Sequence, residues 1–262
     1  AGPVGFNLLE KIQPPQLASL YGAMLAGVDA VIIGAGVPIQ VPAVLAALVE
    51  HGPARYRLDV AGADSDDDYH IALHPEALWP GIAERVGPLR LPWFMPIVSS
   101  VVLAQSLLKR ASGPVDGFVV ELPVAGGHNA PPRGALVLDE RGQPVYGPRD
   151  AIDLPRLREL GVPFWLAGGY GGPGGLARAL AEGAAGIQVG TVFAFCDESG
   201  MSPHLRRQVI AAVRAGDVEV HTSAVASPTG FPFKVVQLPG TLSDPAIYAA
   251  RPRICDLGYL RT

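Results

Sequence analysis

The stretch PFWLAGGYGGPGGLARALAEGAAGIQVGT, residues 163–191, carries the reading of the fold. Phe164-Trp165-Leu166-Ala167 is a short apolar run that ends at Gly168-Gly169. Leu176, Leu180 and Ala184 then recur at helical spacing, and Gly183 closes that helix. Ile187 to Val189 is a second buried strand, and it ends at Gly190-Thr191. Strands alternating with short helices predict βαβ units and a parallel sheet. Each glycine turn leaves bare backbone N–H groups at the C-terminal end of a strand. Such groups, beside a helix start, form a seat for an anion, typically a phosphate. Two adjacent seats of this kind are the phosphate grip of a closed (β/α) barrel. Read only as turn punctuation, the same glycines would carry no function.

Outward from that stretch, the bulk numbers narrow the choices. A chain of 262 residues suits one large α/β domain or a small two-domain protein, and 49% apolar content can fill a large core. The net charge of −4, with no basic block, argues against nucleic acid and against an anionic membrane surface. Cys196 and Cys255 make neither a disulfide framework nor a metal spacing, so reduced thiols in a cytoplasmic protein are expected. The start, AGPVGFNLLEKIQ, shows no signal-peptide pattern. Residues 23–49, the most apolar region, are interrupted by Asp29, prolines and glycines, which predicts a core strand and helix rather than a membrane span.

The rhythm extends through the chain. Strands are expected near Val4, Val31, Phe94, Val119, Trp165 and Ile187. Helices are expected over 17–26, 42–51, 103–110, 154–160 and 203–215. Tyr56–Val60 and Tyr69–Leu73 alternate in period two about an acidic loop, predicting a β-hairpin inserted at about 55–75. The loop DSDDD lacks the spacing, glycine and final glutamate of a calcium loop and reads as a solvated turn. The fold expected is a TIM (β/α)8-type barrel with that hairpin inserted. Six barrel strands against the eight required imply that the first two are lacking, before residue 1. The barrel is expected over 1–199, with a C-terminal helix and irregular extension over 200–262 packed on it.

Among polar residues, His128 is the leading candidate. It follows a strand end behind Gly126-Gly127, where bare backbone lets a ligand approach and a histidine can exchange a proton near neutral pH. The other histidines (His51, His70, His74, His204 and His221) read as loop residues bonded to solvent. No second His or Cys stands at ligand spacing from His128, so no metal is expected. Asn7, Ser99 and Gln188 lie near strand ends and either face a ligand or are satisfied within crowded turns. Glu121 ends its strand seven residues before His128 and either orients a ligand or pairs with a lysine.

The segments AGGHNAPPRG, PFWLAGGYG and AAGIQVGTVFAFCDESG resemble the nitronate monooxygenase (2-nitropropane dioxygenase) family, whose relatives include the flavin-dependent enoyl-acyl-carrier-protein reductases. The resemblance runs from about Asn7 to about Ser199. Residues 11–35 and ASPTGFPFK are also similar to reductases that serve polyketide and polyunsaturated-fatty-acid synthases. The resemblance implies an FMN-binding TIM barrel with His128 as the catalytic base or acid. It implies that Gly168, Gly169, Gly190 and Thr191 hold the FMN phosphate, that Asn7 and Gln188 contact the flavin, and that Gly126 and Gly127 adjoin it. Two departures stand out: the family's opening strand and Gly-Gly-Met-type turn are not seen, and NAPPRG replaces a shorter glycine-rich run after His128.

Three functions follow as expectations. The first is FMN-dependent oxidation of alkyl nitronates by O2 to a carbonyl compound and nitrite. The second is NAD(P)H-dependent reduction of an enoyl thioester. The third is an incomplete, non-catalytic barrel whose exposed apolar edges associate, giving a homo-oligomer. The partner is accordingly a nitronate or an acyl thioester.

Overall fold

The structure is a computed structural model, and it describes residues 2–64 and 66–252. The elements run β1 (Gly5–Leu9), α1 (Gln16–Leu25), β2 (Ala30–Gly34), α2 (Val41–Val49), β3 (Ala54–Arg57) and β4 (His70–Leu73). They continue α3 (Pro75–Leu78), α4 (Ile82–Val86), β5 (Trp93–Val98), α5 (Val101–Arg110), β6 (Phe118–Glu121) and α6 (Leu154–Arg158). The last are β7 (Phe164–Ala167), α7 (Gly175–Ala181), β8 (Gly186–Gln188), α8 (Thr191–Ala194), α9 (Pro203–Ala215), β9 (Val220–Ser223), β10 (Phe233–Val236) and α10 (Pro245–Ala250). The chain divides into two compact units, residues 1–120 with 153–165, and residues 121–152 with 166–262. Strands β6 and β7 begin in the first and end in the second.

In the first unit the strands are parallel in the order β1-β2-β5-β6-β7, so every connection is a crossover, as βαβ units require. AVIIG of β2 is buried nearly throughout, because β1 and β5 flank it and Val31 and Ile33 pack against α1 and α2. The core joins Leu17, Leu20 and Tyr21 of α1 to Val44, Leu45 and Leu48 of α2, with Ile33 and Phe94 beneath them. Helix α5 starts where the Ser100 side chain accepts from the Leu103 N–H at 3.1 Å, and it ends on Lys109 and Arg110, which suit a helix C-terminus.

The predicted hairpin is present: β3 and β4 pair antiparallel, with Ala54 opposite Leu73. Its anchor is Tyr56, fully buried, whose hydroxyl donates to both carboxylate oxygens of Glu10 at 2.6 and 2.7 Å. Burial pushes the Glu10 carboxyl above its usual range, and the bonds from Tyr56 and Gln13 partly oppose that.

His51 corrects the solvent reading made for it. It is 3% exposed, with its Nε2 donating to the Gly87 carbonyl at 2.8 Å and its Nδ1 bonded to the Tyr21 hydroxyl at 2.6 Å. A carbonyl can only accept, so the ring proton sits on Nε2 and Tyr21 donates to Nδ1. The histidine stops α2 and locks it to α1, which no local spacing reveals.

In the second unit the ends of β6 and β7 stay paired, with the Leu122 N–H donating to the Ala167 carbonyl at 3.0 Å, and β8 follows as the next strand. Helix α7 buries Gly175 and Ala179 instead of its leucines: Leu176 and Leu180 are 50% and 51% exposed. The apolar spacing thus marks a helix but not its inward face. Helix α9 spans the residues its periodicity predicts, with Pro203 in its first turn and Gly216, at φ 79°, closing it. Strands β9 and β10 form an antiparallel hairpin, more regular than the extension expected there. The Cys196 thiol is free, and Cys255 lies outside the described residues. Among the described residues no helix is long and apolar enough to cross a membrane.

Candidate functional site

Parallel strands deliver their C-terminal ends to one side of a sheet, so whatever follows β6, β7 and β8 meets there. In the second unit these ends enclose a cavity of about 370 Å3, within the usual range for small-ligand pockets. Its lining comes from Glu121 and the turn Val124–Gly127 after β6, Ala167–Gly171 after β7, and Gln188–Val192 with Ala194 after β8.

The sequence candidates Gly126, Gly127, Gly168, Gly169, Gln188, Gly190 and Thr191 all line this cavity. Two of the glycines are needed for its shape. A Cβ on Gly126 would stand 2.5 Å from the Thr191 hydroxyl oxygen, so the two strand ends approach that closely only because no side chain intervenes. Gly168 has φ +100°, and a Cβ there would stand 2.8 Å from the Ala125 backbone nitrogen. That nitrogen is pinned, since it donates to the Leu122 carbonyl at 2.9 Å. The lining is therefore backbone rather than side chain along much of its length, the surface that a flat or phosphorylated ligand needs for close approach. Helices α7 and α8 have seven and four residues, so the anion seat expected here rests on the glycine-turn N–H groups rather than on long helix dipoles.

His128 is not among the lining residues. It follows Gly127 directly, half-buried, with Nε2 2.6 Å from the Ser227 hydroxyl and its ring edge-on to Phe233 at 4.8 Å between centroids. Ser227 is bonded in turn to the Thr229 hydroxyl at 2.8 Å. Burial lowers the pKa of the imidazole, which favours the neutral ring. The turn is held from outside: the Lys234 N–H donates to the Gly127 carbonyl at 2.9 Å, and the Asn129 N–H to the Pro232 carbonyl at 2.8 Å. Asn129 is fully buried, and its Nδ2 closes the turn on the Ala125 carbonyl at 2.8 Å. Ser227, Thr229 and Phe233 were not singled out from the sequence. The signal was the polar, glycine- and proline-rich SPTGFPF run, which only folding brings to His128, 99 positions from Ser227.

Asn7 stands in the middle of β1 in the first unit, paired in register with Ile32, and is not a lining residue of the cavity. Ser99 directly follows β5 in the same unit. Glu121 does line the cavity, and among the described residues no lysine pairs with it. Burial alone pushes its carboxyl up to about 7.

A parallel α/β sheet with a glycine-walled cavity at its strand ends defines a partial barrel of the TIM type. Residues 92–228 match the family described as nitronate monooxygenase, just over half the chain, and the chain belongs to that family. It is 31% identical over 158 residues to the (3aS,4S,5R,7aS)-5-hydroxy-7a-methyl-1-oxo-octahydro-1H-indene-4-carboxyl-CoA dehydrogenase of Rhodococcus jostii, covering 60% of this chain and 38% of that protein. It is 28% identical over 206 residues to a nitronate monooxygenase of Paraburkholderia phytofirmans, covering 75% of this chain and 43% of that one. The chain thus spans well under half the length of these relatives. In structure it is similar to a FabK variant from Thermotoga maritima, with TM-score 0.51 and 20% identity, over 90% of this chain and 57% of that one. That likeness concerns the fold.

Proposed function

We propose that the cavity of the second unit binds FMN and that the protein oxidises alkyl nitronates with O2, yielding a carbonyl compound and nitrite. The observation that carries this reading is the convergence of three glycine-bearing strand ends, 125–127, 167–169 and 188–191, on one cavity in a chain of this family. The N–H groups of Gly168, Gly169 and Gly190 and the Thr191 hydroxyl would hold the phosphate, and Gln188 with the Gly126-Gly127 backbone would contact the flavin. FMN, when bound, would supply the two-electron chemistry.

The protein's own contribution is position and a proton site. His128 takes the proton from the carbon beside a nitro group, or orients the nitronate already formed. Its depressed pKa keeps the base form available at neutral pH. Ser227 engages one ring nitrogen and so sets the orientation of the other. The free thiol of Cys196 accords with a cytoplasmic setting.

The test is a visible spectrum of the protein with FMN, followed by anaerobic NADH or NADPH and then a nitronate. A bound flavin that stays oxidised until the nitronate arrives supports the reading. Rapid bleaching by NAD(P)H transfers it to reduction of an enoyl thioester, a second reading favoured by the likeness to a carboxyl-CoA dehydrogenase. Absence of any bound flavin refutes both. Replacing His128 with Asn is expected to cut turnover and leave FMN bound; unchanged turnover removes the histidine from the chemistry.

A further inference from the structure

Among the described residues Glu121 is the one carboxylate side chain that lines the cavity, and no lysine, arginine or histidine lines it. The carboxyl ends β6 at the cavity wall, and among the described residues it forms no ion pair. The cations nearest in the sequence of the lining turns are engaged elsewhere. Arg178 donates to the Gly169 carbonyl at 2.8 Å and lies over the Tyr170 ring, and Lys234 donates to the Thr222 hydroxyl. The ionisable groups around the carboxyl are two tyrosines and, beyond them, carboxylates already engaged by donors. From the loop after β6, Tyr146 feels the Glu121 charge and donates to the Ala130 carbonyl at 3.0 Å. Asp150, behind Tyr146, accepts from the Arg133 and Gly147 N–H groups. From the turn after β7, Tyr170 donates to Glu182. From β8 and α8 the cavity receives Gln188 and Thr191, which do not titrate near neutrality.

A ligand carrying a phosphate dianion therefore enters a cavity that already holds a carboxyl and no cation. It expels the water that screens the carboxyl and adds a like charge. Both effects favour the neutral acid. Resting on the FMN reading, we propose that Glu121 is the proton-carrying residue of this cavity: it is protonated when FMN is bound, so that FMN binding above neutral pH takes up a proton from solvent. The neutral carboxyl then presents an O–H donor to the ligand, which a carboxylate cannot. The burial that already lifts this group toward neutrality accords with such a role. The consequence is a cavity that selects anionic ligands more sharply as pH falls.

The experiment is calorimetric titration of FMN into the full chain between pH 6 and 8.5, in buffers of differing ionisation enthalpy, for the wild type and Glu121→Gln. With half-protonation of the free protein near 7, the wild type takes up roughly 0.8 of a proton at pH 7.5, and its Kd weakens by roughly 30-fold from pH 6 to 8.5 relative to the variant. Glu121→Gln binds FMN with little proton uptake at pH 7.5. Identical pH profiles for the two proteins overturn the proposal while leaving the FMN reading intact. Failure of the wild type to bind FMN at any pH overturns the FMN reading and this proposal with it. The wild type alone also decides the matter: a phosphate monoester titrates near pH 6, so uptake that has vanished by pH 7.5 overturns the role of Glu121.

Discussion

Adding one methyl group at Gly168 tests whether the cavity wall is as tight as the backbone makes it. Gly168→Ala forces an L-residue to φ +100°, a strain of about 1–3 kcal/mol. The new Cβ also meets the Ala125 nitrogen at 2.8 Å, and that nitrogen cannot retreat without losing its bond to the Leu122 carbonyl. Overpacking of this kind costs about 1–3 kcal/mol, so a total near 3 kcal/mol is expected, or roughly a 10 °C fall in Tm. The control is Gly190→Ala, on the same cavity. Its φ is −113°, and an added Cβ there meets nothing within 4 Å. That variant should unfold within about 0.5 kcal/mol of wild type. The assay is urea unfolding of both variants followed by tryptophan fluorescence, with FMN affinity measured alongside. Equal stability of Gly168→Ala and Gly190→Ala, with equal FMN affinity, would refute the claim that bare backbone shapes the site.

Three further outcomes are expected. In the ligand-free protein, a Glu121 carboxyl raised from 4.5 to about 7 contributes stability that is fully present below pH 4.5 and lost as pH rises through 7. The whole loss is about 3 kcal/mol, of which about 2 kcal/mol falls between pH 5.5 and 8.5; a wild type and Glu121→Gln that differ by a constant amount in urea across that range would show the carboxyl to be solvated. Tyr56→Phe removes both bonds to the buried Glu10 carboxylate and should cost about 2 kcal/mol at pH 8. The cost should shrink as pH falls, since burial raises the Glu10 pKa and protonation removes the charge that Tyr56 stabilises, and a pH-independent cost would contradict the pairing. Ser227→Ala frees one His128 nitrogen and should lower kcat roughly fivefold, the worth of about 1 kcal/mol; it should also shift the pH profile while FMN affinity holds, and an unmoved profile would leave Ser227 a purely structural neighbour.

How much of this was legible in the chain depends on whether the cause was local. The six parallel strands follow from short apolar runs such as VDAVIIG, each bounded by glycine or a polar turn, and all six are present. Helix α9 was legible end to end because proline and glycine punctuate it. The turns at 126–127 and 168–169 were legible because positive φ at Gly127, Gly168 and Gly169, or close approach at Gly126 and Gly168, demands glycine itself, whereas Gly190 meets neither demand. What failed depended on long-range contacts. His51 looks like any loop histidine until Tyr21 and Gly87 are brought to it. Leu176 and Leu180 have the spacing of a buried face, yet the sheet accepts Gly175 and Ala179, whose small side chains allow close contact. Glu121 could not be assigned from sequence because its significance lies in which cations are absent from the cavity lining.

The pairing of β10 with the His128 turn has a consequence for recombining this chain with its relatives. The Gly127 carbonyl, the Asn129 N–H and the imidazole all find their partners between Ser227 and Lys234. A chimera joined anywhere between Gly134 and Val220 would separate the histidine from the hydroxyl and ring that orient it, although both halves kept their own folds. The AGGH turn and the C-terminal hairpin are thus one heritable module written in two distant passages, and a graft that carries one has to carry the other.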